Sequence, residues 1–136
     1  MGGDAESRYF SVHVLLYVDY FGEPSPEDGI HVWENIYLVR ANDCDEAAMI
    51  GERLGRLNEG DADGSNYRLE KKARWIFAGV REVISITNMY SQRNCAPGSG
   101  DELTYPRYNF DSMDDIFAIL DGKVARVAML PWSDDD

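Results

Sequence analysis

The chain has 136 residues, 44% of them hydrophobic and 12% aromatic, a composition that excludes disorder and fits one domain with one core. Thirteen Lys and Arg face 25 Asp and Glu, and the net charge of −12 argues against nucleic-acid and membrane-surface partners. The same charge favours a basic protein partner, or simply keeps a small protein in solution.

The first residues are small and polar with no apolar run, so residues 1–8 read as a flexible N-terminus without a signal peptide. The longest apolar run, residues 14–18, is far below membrane-spanning length. A cytoplasmic location follows as the expectation, with Cys44 and Cys95 as thiols. Residues 9–21 then alternate: Phe10, Val12, Val14, Leu16, Val18 and Tyr20 interleave with Ser11, His13, Tyr17 and Asp19, the period of a half-buried strand. Glycines and prolines over 22–29 break that strand, and a second, over 30–41, completes a hairpin. Asp43 with Glu46 forms a capping-box pattern, and Ala47, Ile50, Leu54 and Leu57 continue it as one apolar helical stripe.

Glycine, aspartate and asparagine end the helix over 58–66. Residues 67–90 carry a third strand, strongest over 75–86, with Ile76, Ala78, Val80, Ile84 and Ile86 on one face and Trp75, Phe77, Arg81 and Val83 on the other. After a loop over 94–101, residues 102–110 read as a fourth strand, placed at an edge by Pro106. Ser112 and Asp115 start a short helix in which Met113, Ile116, Phe117 and Leu120 are spaced to face the core, and Gly122 stops it. Residues 124–130 supply a last strand and 133–136 an acidic tail. The expected fold is α+β: a single antiparallel sheet of four to five strands, packed by one main helix and a shorter C-terminal helix, in one domain over 9–132.

Four stretches carry a resemblance: residues 11–17 (Ser-Val-His-Val-Leu-Leu-Tyr), residues 34–41 with the capped helix after them, the aromatic-rich residues 75–83, and the Glu-x-x-Tyr-x-Arg motif of Glu102, Tyr105 and Arg107. Together they resemble a family of short bacterial domains of unassigned function. The resemblance covers residues 9–110 and leaves 111–132 as an extension. It implies an α+β fold with an antiparallel sheet and one main helix, and it implies no chemistry.

Candidate sites are few. Calcium-binding EF-hand loops take oxygen ligands at positions 1, 3, 5, 7, 9 and 12 with glycine at 6. Glu59, Asp61, Asp63, Gly64 and Glu70 fall at positions 1, 3, 5, 6 and 12 of that template. Glu at position 1, Asn66 where an apolar residue is usual, and a strand instead of a second helix make a polar helix-to-strand turn the better reading, so no metal is expected. His13, His31, Cys44 and Cys95 show no metal-ligand spacing. Cys44 opens a predicted helix, but its acidic neighbours oppose thiolate formation. There is no phosphate-binding loop, dinucleotide fingerprint or nucleophile elbow, so no cofactor and no catalytic set is expected. Glu102, Tyr105 and Arg107 remain, as a site for a partner or an anionic ligand, or else as an Arg–Glu pair packed on the sheet. Trp33, Tyr37, Trp75 and Phe77 form either an aromatic binding surface or part of the core.

The expected function is a non-enzymatic protein-binding or accessory module, immunity-like in its small size and acidity, with a basic partner. The alternatives are a ligand-binding or regulatory domain using a sheet cleft at Tyr105 and Arg107, and a cryptic hydrolase using His13, His31 or Cys44. A homodimer through an exposed strand or the aromatic face is a further expectation.

Overall fold

The computed structural model describes residues 8–60, 67–86 and 97–131; residues 1–7, Asp61, Asp63, Gly64, Cys95 and the acidic tail lie outside them. The chain divides into two compact units, Met1–Leu103 and Thr104–Asp136. In the first, β1 (Arg8–Asp19) is the central strand, antiparallel to β2 (Val32–Ala41) on one side and to β5 (Arg74–Ser85) on the other. Helix α1 (Cys44–Leu57) packs on one face of this sheet, and the short strands β3 (Tyr67–Arg68) and β4 (Lys71–Lys72) form a separate hairpin. The fold is α+β with two helices and antiparallel sheets, but the main sheet has three strands, not four to five.

The missing strands belong to the second unit. There β6 (Arg107–Phe110) pairs with β7 (Val127–Leu130) in a two-stranded sheet, joined by α2 (Met113–Leu120). The strand expected over 102–110 begins only after Pro106, which cannot donate to a ladder. Ser112 caps α2 by accepting from the Asp115 N–H at 3.2 Å. Gly122, at φ +77, ends it in a Schellman motif, with Lys123 N donating to Ala118 O at 2.8 Å and Gly122 N to Ile119 O at 3.0 Å. No residue of α2 is buried: Met113, Phe117 and Leu120, expected to face a core, are exposed. A two-stranded ribbon offers a helix too little surface to bury its apolar stripe.

The core of the first unit follows from the alternation in β1. Phe10, Val12, Val14, Leu16 and Val18 are buried and share the face toward α1. The capping pattern forms as the spacing requires, with Glu46 N donating to Asp43 Oδ1 at 2.8 Å and Asn42 N to Glu46 Oε1 at 2.7 Å. Of the expected helical stripe, Ala47 is buried and Ile50 and Leu54 pack against the core, and Leu57 alone departs. Leu57 is exposed, and Ala47, Gly51 and Gly55 are the buried residues of α1. A Cβ on Gly55 would lie 2.6 Å from Val14 Cγ1 and from Phe77 Cδ1, and one on Gly51 would collide with Val12 Cγ1. The helix therefore lies closer to β1 than any side chain would allow.

Strand β5 departs from strict alternation. Its register against β1 slips between His13 and Val14 and again between Leu15 and Leu16, which leaves Arg81 and Ala78 as bulge residues. Trp75, Phe77, Val80 and Val83 consequently stand opposite Val18, Leu16, Val14 and Val12 on the helix side. The expected grouping of Val80 with Ile76 and Ile84 fails for this reason. The β3–β4 turn is formed by Leu69 and Glu70 at φ 52 and 65, the sign pattern of a type I′ turn without its usual glycine. Among the described residues, no helix is long and apolar enough to cross a membrane.

Candidate functional site

Two clusters of chemically capable side chains form on the first unit, one on each face of the sheet. On the face away from α1, His13 and Ser11 of β1 are buried, with relative exposures of 1% and 2%. Ser11 Oγ lies 3.0 Å from His13 Nε2, and His13 Nδ1 lies 2.7 Å from Glu34 Oε2. An ionised carboxylate only accepts, so Nδ1 carries a proton; in the neutral ring Nε2 then accepts from the Ser11 hydroxyl. Arg81 Nε also donates to Glu34 Oε2 at 2.9 Å, and its Nη1 pairs with Glu82. The bulge explains the geometry, because it turns adjacent residues Arg81 and Glu82 to the same side beside His13. Burial works to raise the Glu34 carboxyl pKa, but the hydrogen bonds and charges of His13 and Arg81 outweigh it and hold the group below its ordinary value.

The order serine, imidazole, carboxylate is that of a hydrolytic triad. Its accessibility is not. A hydrolase must bring substrate to the serine oxygen, and here the serine and the imidazole are both closed off from solvent. The cluster links polar side chains of all three strands of the sheet.

The second cluster lies on the helix side, near the end of β1. Trp33, 45% exposed, stacks on the buried Trp75 with ring centroids 4.1 Å apart and an interplanar angle of 30°. His31 meets both rings, at 6.2 Å from Trp33 and 5.9 Å from Trp75. Val18 N donates to His31 O at 3.1 Å, so His31 stands beside Val18 while His13 faces the opposite side of the sheet. A cavity of about 280 Å³ lies under the adjoining loop, lined by Tyr17, Asp19, Tyr20, Glu23 and His31 among others.

The most cationic stretch of the sequence anchors this loop. Arg68 Nη1 donates to Tyr20 Oη at 2.8 Å and to Glu27 Oε1 at 2.7 Å, and Lys71 Nζ to Pro24 O at 3.2 Å. The hydrogen bond from Arg68 holds the exposed Glu27 carboxyl below its ordinary pKa. Lys72 and Arg74 lie over the Phe21 ring at 5.2 and 4.8 Å, and Arg74 Nε also binds Asp19 at 3.0 Å. Phe21 holds a positive φ of 56 in a turn closed by Glu23 N to Tyr20 O at 3.1 Å. These cations hold a loop in place, and their charge is spent on neighbouring carboxylates, carbonyls and rings.

Glu102 belongs to the first unit, Tyr105 and Arg107 to the second. Tyr105 precedes β6, so it does not share a strand face with Arg107, whose Nη1 donates to Pro131 O at 3.0 Å. Of the calcium-loop look-alike, Glu59 accepts from the Phe77 N–H at 2.9 Å and Glu70 sits in the β3–β4 turn. Among the described residues, no three of His, Cys, Asp and Glu are grouped to hold a metal ion. Cys44 is exposed at the first position of α1. His31 is the member of the platform that sequence reasoning missed. Its position one residue before Trp33's neighbour Val32 was the available signal, since it places an imidazole on the same strand face as Trp33. Comparison with family models, curated proteins and solved structures finds no match to this chain.

Proposed function

We propose that this chain is a non-enzymatic protein-binding module, an accessory or immunity-like bacterial protein of the cytoplasm, and that its partner is a basic protein. The observation that carries the reading is the half-exposed Trp33 held rigid on the buried Trp75. A large aromatic fixed from beneath loses little freedom on binding, and tryptophan is among the residues that dominate interface energetics. The net charge of −12 steers a basic protein toward the molecule. Pull-down from host lysate at low and moderate salt tests this. The expected result is one stoichiometric basic partner, weakened by salt and lost with Trp33→Ala. Equal retention by Trp33→Ala removes the platform from the account, and an empty pull-down removes the reading.

A second reading, a cryptic hydrolase, is favoured by one observation only, the Ser11–His13–Glu34 chain. It requires an opening that exposes Ser11. A fluorophosphonate probe reports on it directly: labelling at Ser11, abolished in His13→Ala, supports the hydrolase, and an unlabelled serine eliminates it.

A further inference from the structure

The two edges of the main sheet differ in how they end. The outer edge of β5 is occupied: Trp75 N donates to Gly60 O at 2.6 Å, Gly60 N to Trp75 O at 3.0 Å, and Phe77 N to the Glu59 carboxylate. Its two bulges bend what is left. Strand β2 has none of these devices. It runs 10 residues in unbroken register with β1, contains no proline, and among the described residues no strand pairs with its outer side. Ile36 and Leu38 stand on its face away from α1, 47% and 53% exposed. An unguarded apolar edge of this kind is a template for another strand.

We propose that this edge pairs with the β2 of a second copy of the chain, antiparallel, about a twofold axis through Tyr37, making one continuous six-stranded sheet. Side-chain parity and charge select the register. Directly opposite residues must point to the same face, so the axis has to pass through a residue and not between two. An axis through Ile36 sets Glu34 against Leu38 and Arg40 against Val32, and one through Leu38 sets Arg40 against Ile36. An axis through Tyr37 sets Glu34 against Arg40 of the other copy and Ile36 against Leu38, twice over. Of these three, it is the register that pairs the strand's two charges with each other and the exposed Ile36 and Leu38 with each other. Arg40 has no ion-pair partner among the described residues of its own chain, its guanidinium lying over the Tyr9 ring at 5.8 Å. The strand is charge-neutral within an acidic molecule, so the chain's net charge of −12 does not oppose contact along this line. The inference does not rest on the protein-binding reading, because Trp33 falls opposite the small Ala41 at the end of the pairing, away from its centre.

The experiment uses the full chain. Light-scattering mass, followed from low micromolar concentration to the solubility limit, is expected to rise from one chain to two. Leu38→Lys, a change at an exposed position, keeps the circular-dichroism spectrum and the melting curve while abolishing the rise. Arg40→Glu places like charges opposite each other at both symmetric positions and raises the dimer dissociation constant roughly tenfold. Register is read by cross-linking in a Cys44→Ser, Cys95→Ser background. Opposite residues bring their Cβ atoms to about 4.5–5.5 Å and diagonal ones only to about 7–8 Å. A mixture of Ile36→Cys and Leu38→Cys chains therefore oxidises to a disulfide dimer much faster than either variant alone. A one-chain mass at every concentration overturns the proposal, as does cross-linking in which a single variant matches the mixture.

Discussion

The two faces of β1 bury side chains by opposite means. Toward α1, Phe10, Val12, Val14, Leu16 and Val18 meet a helix that two glycines let down onto the strand. Away from α1, Ser11 and His13 are as inaccessible as the valines, yet they are polar and lie under Glu34, Arg81 and Glu82. The first face is sealed by shape, and on the second Ser11 and His13 are held in a charge-assisted hydrogen-bond network. Apolar packing stabilises through area removed from water, whereas a satisfied network contributes little net energy and is expensive to break. The faces should therefore respond differently to mutation and to pH.

The largest effect is expected from Phe10→Ala, which opens a cavity at a fully buried position and should lower unfolding free energy by about 3–5 kcal/mol in denaturant titration. Gly51→Ala tests the close approach of the helix by its sign. Alanine in an open helix gains about 1 kcal/mol over glycine, but here its methyl collides with Val12, so a net loss of about 1–3 kcal/mol is expected. A stabilised Gly51→Ala would show that the helix stands further off.

On the polar face, Glu34→Gln keeps the shape and removes the charge that His13 and Arg81 share, at an expected loss of about 1–2 kcal/mol near neutral pH. Its pH dependence separates the faces. The folded pKa of Glu34 is depressed, so its contribution is present above the unfolded value of about 4.3 and is lost as pH falls through the folded value. Acid titration of stability should bring wild type and Glu34→Gln together as pH falls through the depressed folded value, while the deficit of Phe10→Ala stays constant. A pH-independent Glu34→Gln deficit would assign the residue a packing role only. The smallest effect serves as a control away from both faces: Glu70→Gly relieves a positive φ in the β3–β4 turn and should raise stability by roughly 0.5–1 kcal/mol.

What was legible in the sequence follows the same division. The helix-side face announced itself through the period of two in residues 10–20, and Asp43 with Glu46 marked the helix start. Gly51 and Gly55 were not legible as contact residues, because hydrophobic spacing ranks side chains and a close approach is made by their absence. The sheet was overcounted because residues 107–110 pair with residues 127–130, a choice of partner that local pattern does not contain. Trp33 and Trp75 were readable as aromatic candidates, but their stacking depends on cross-strand register. The Ser11–His13–Glu34 cluster was hidden for a further reason. Glu34 stands opposite Leu15 and reaches His13 diagonally, and Arg81 arrives through a bulge that no alternation predicts, with Gly79 as its sole sequence hint.

The occupied edge of β5 has a consequence for how large an assembly can grow. A sheet with two open edges adds subunits without end and becomes a fibre. Here Gly60 and Glu59 blunt one side, so a twofold pairing through β2 consumes the only long, unbulged edge of each copy's three-stranded sheet. Polymerisation of that sheet ends at the first step, and the segment that leaves α1 acts as a chain terminator.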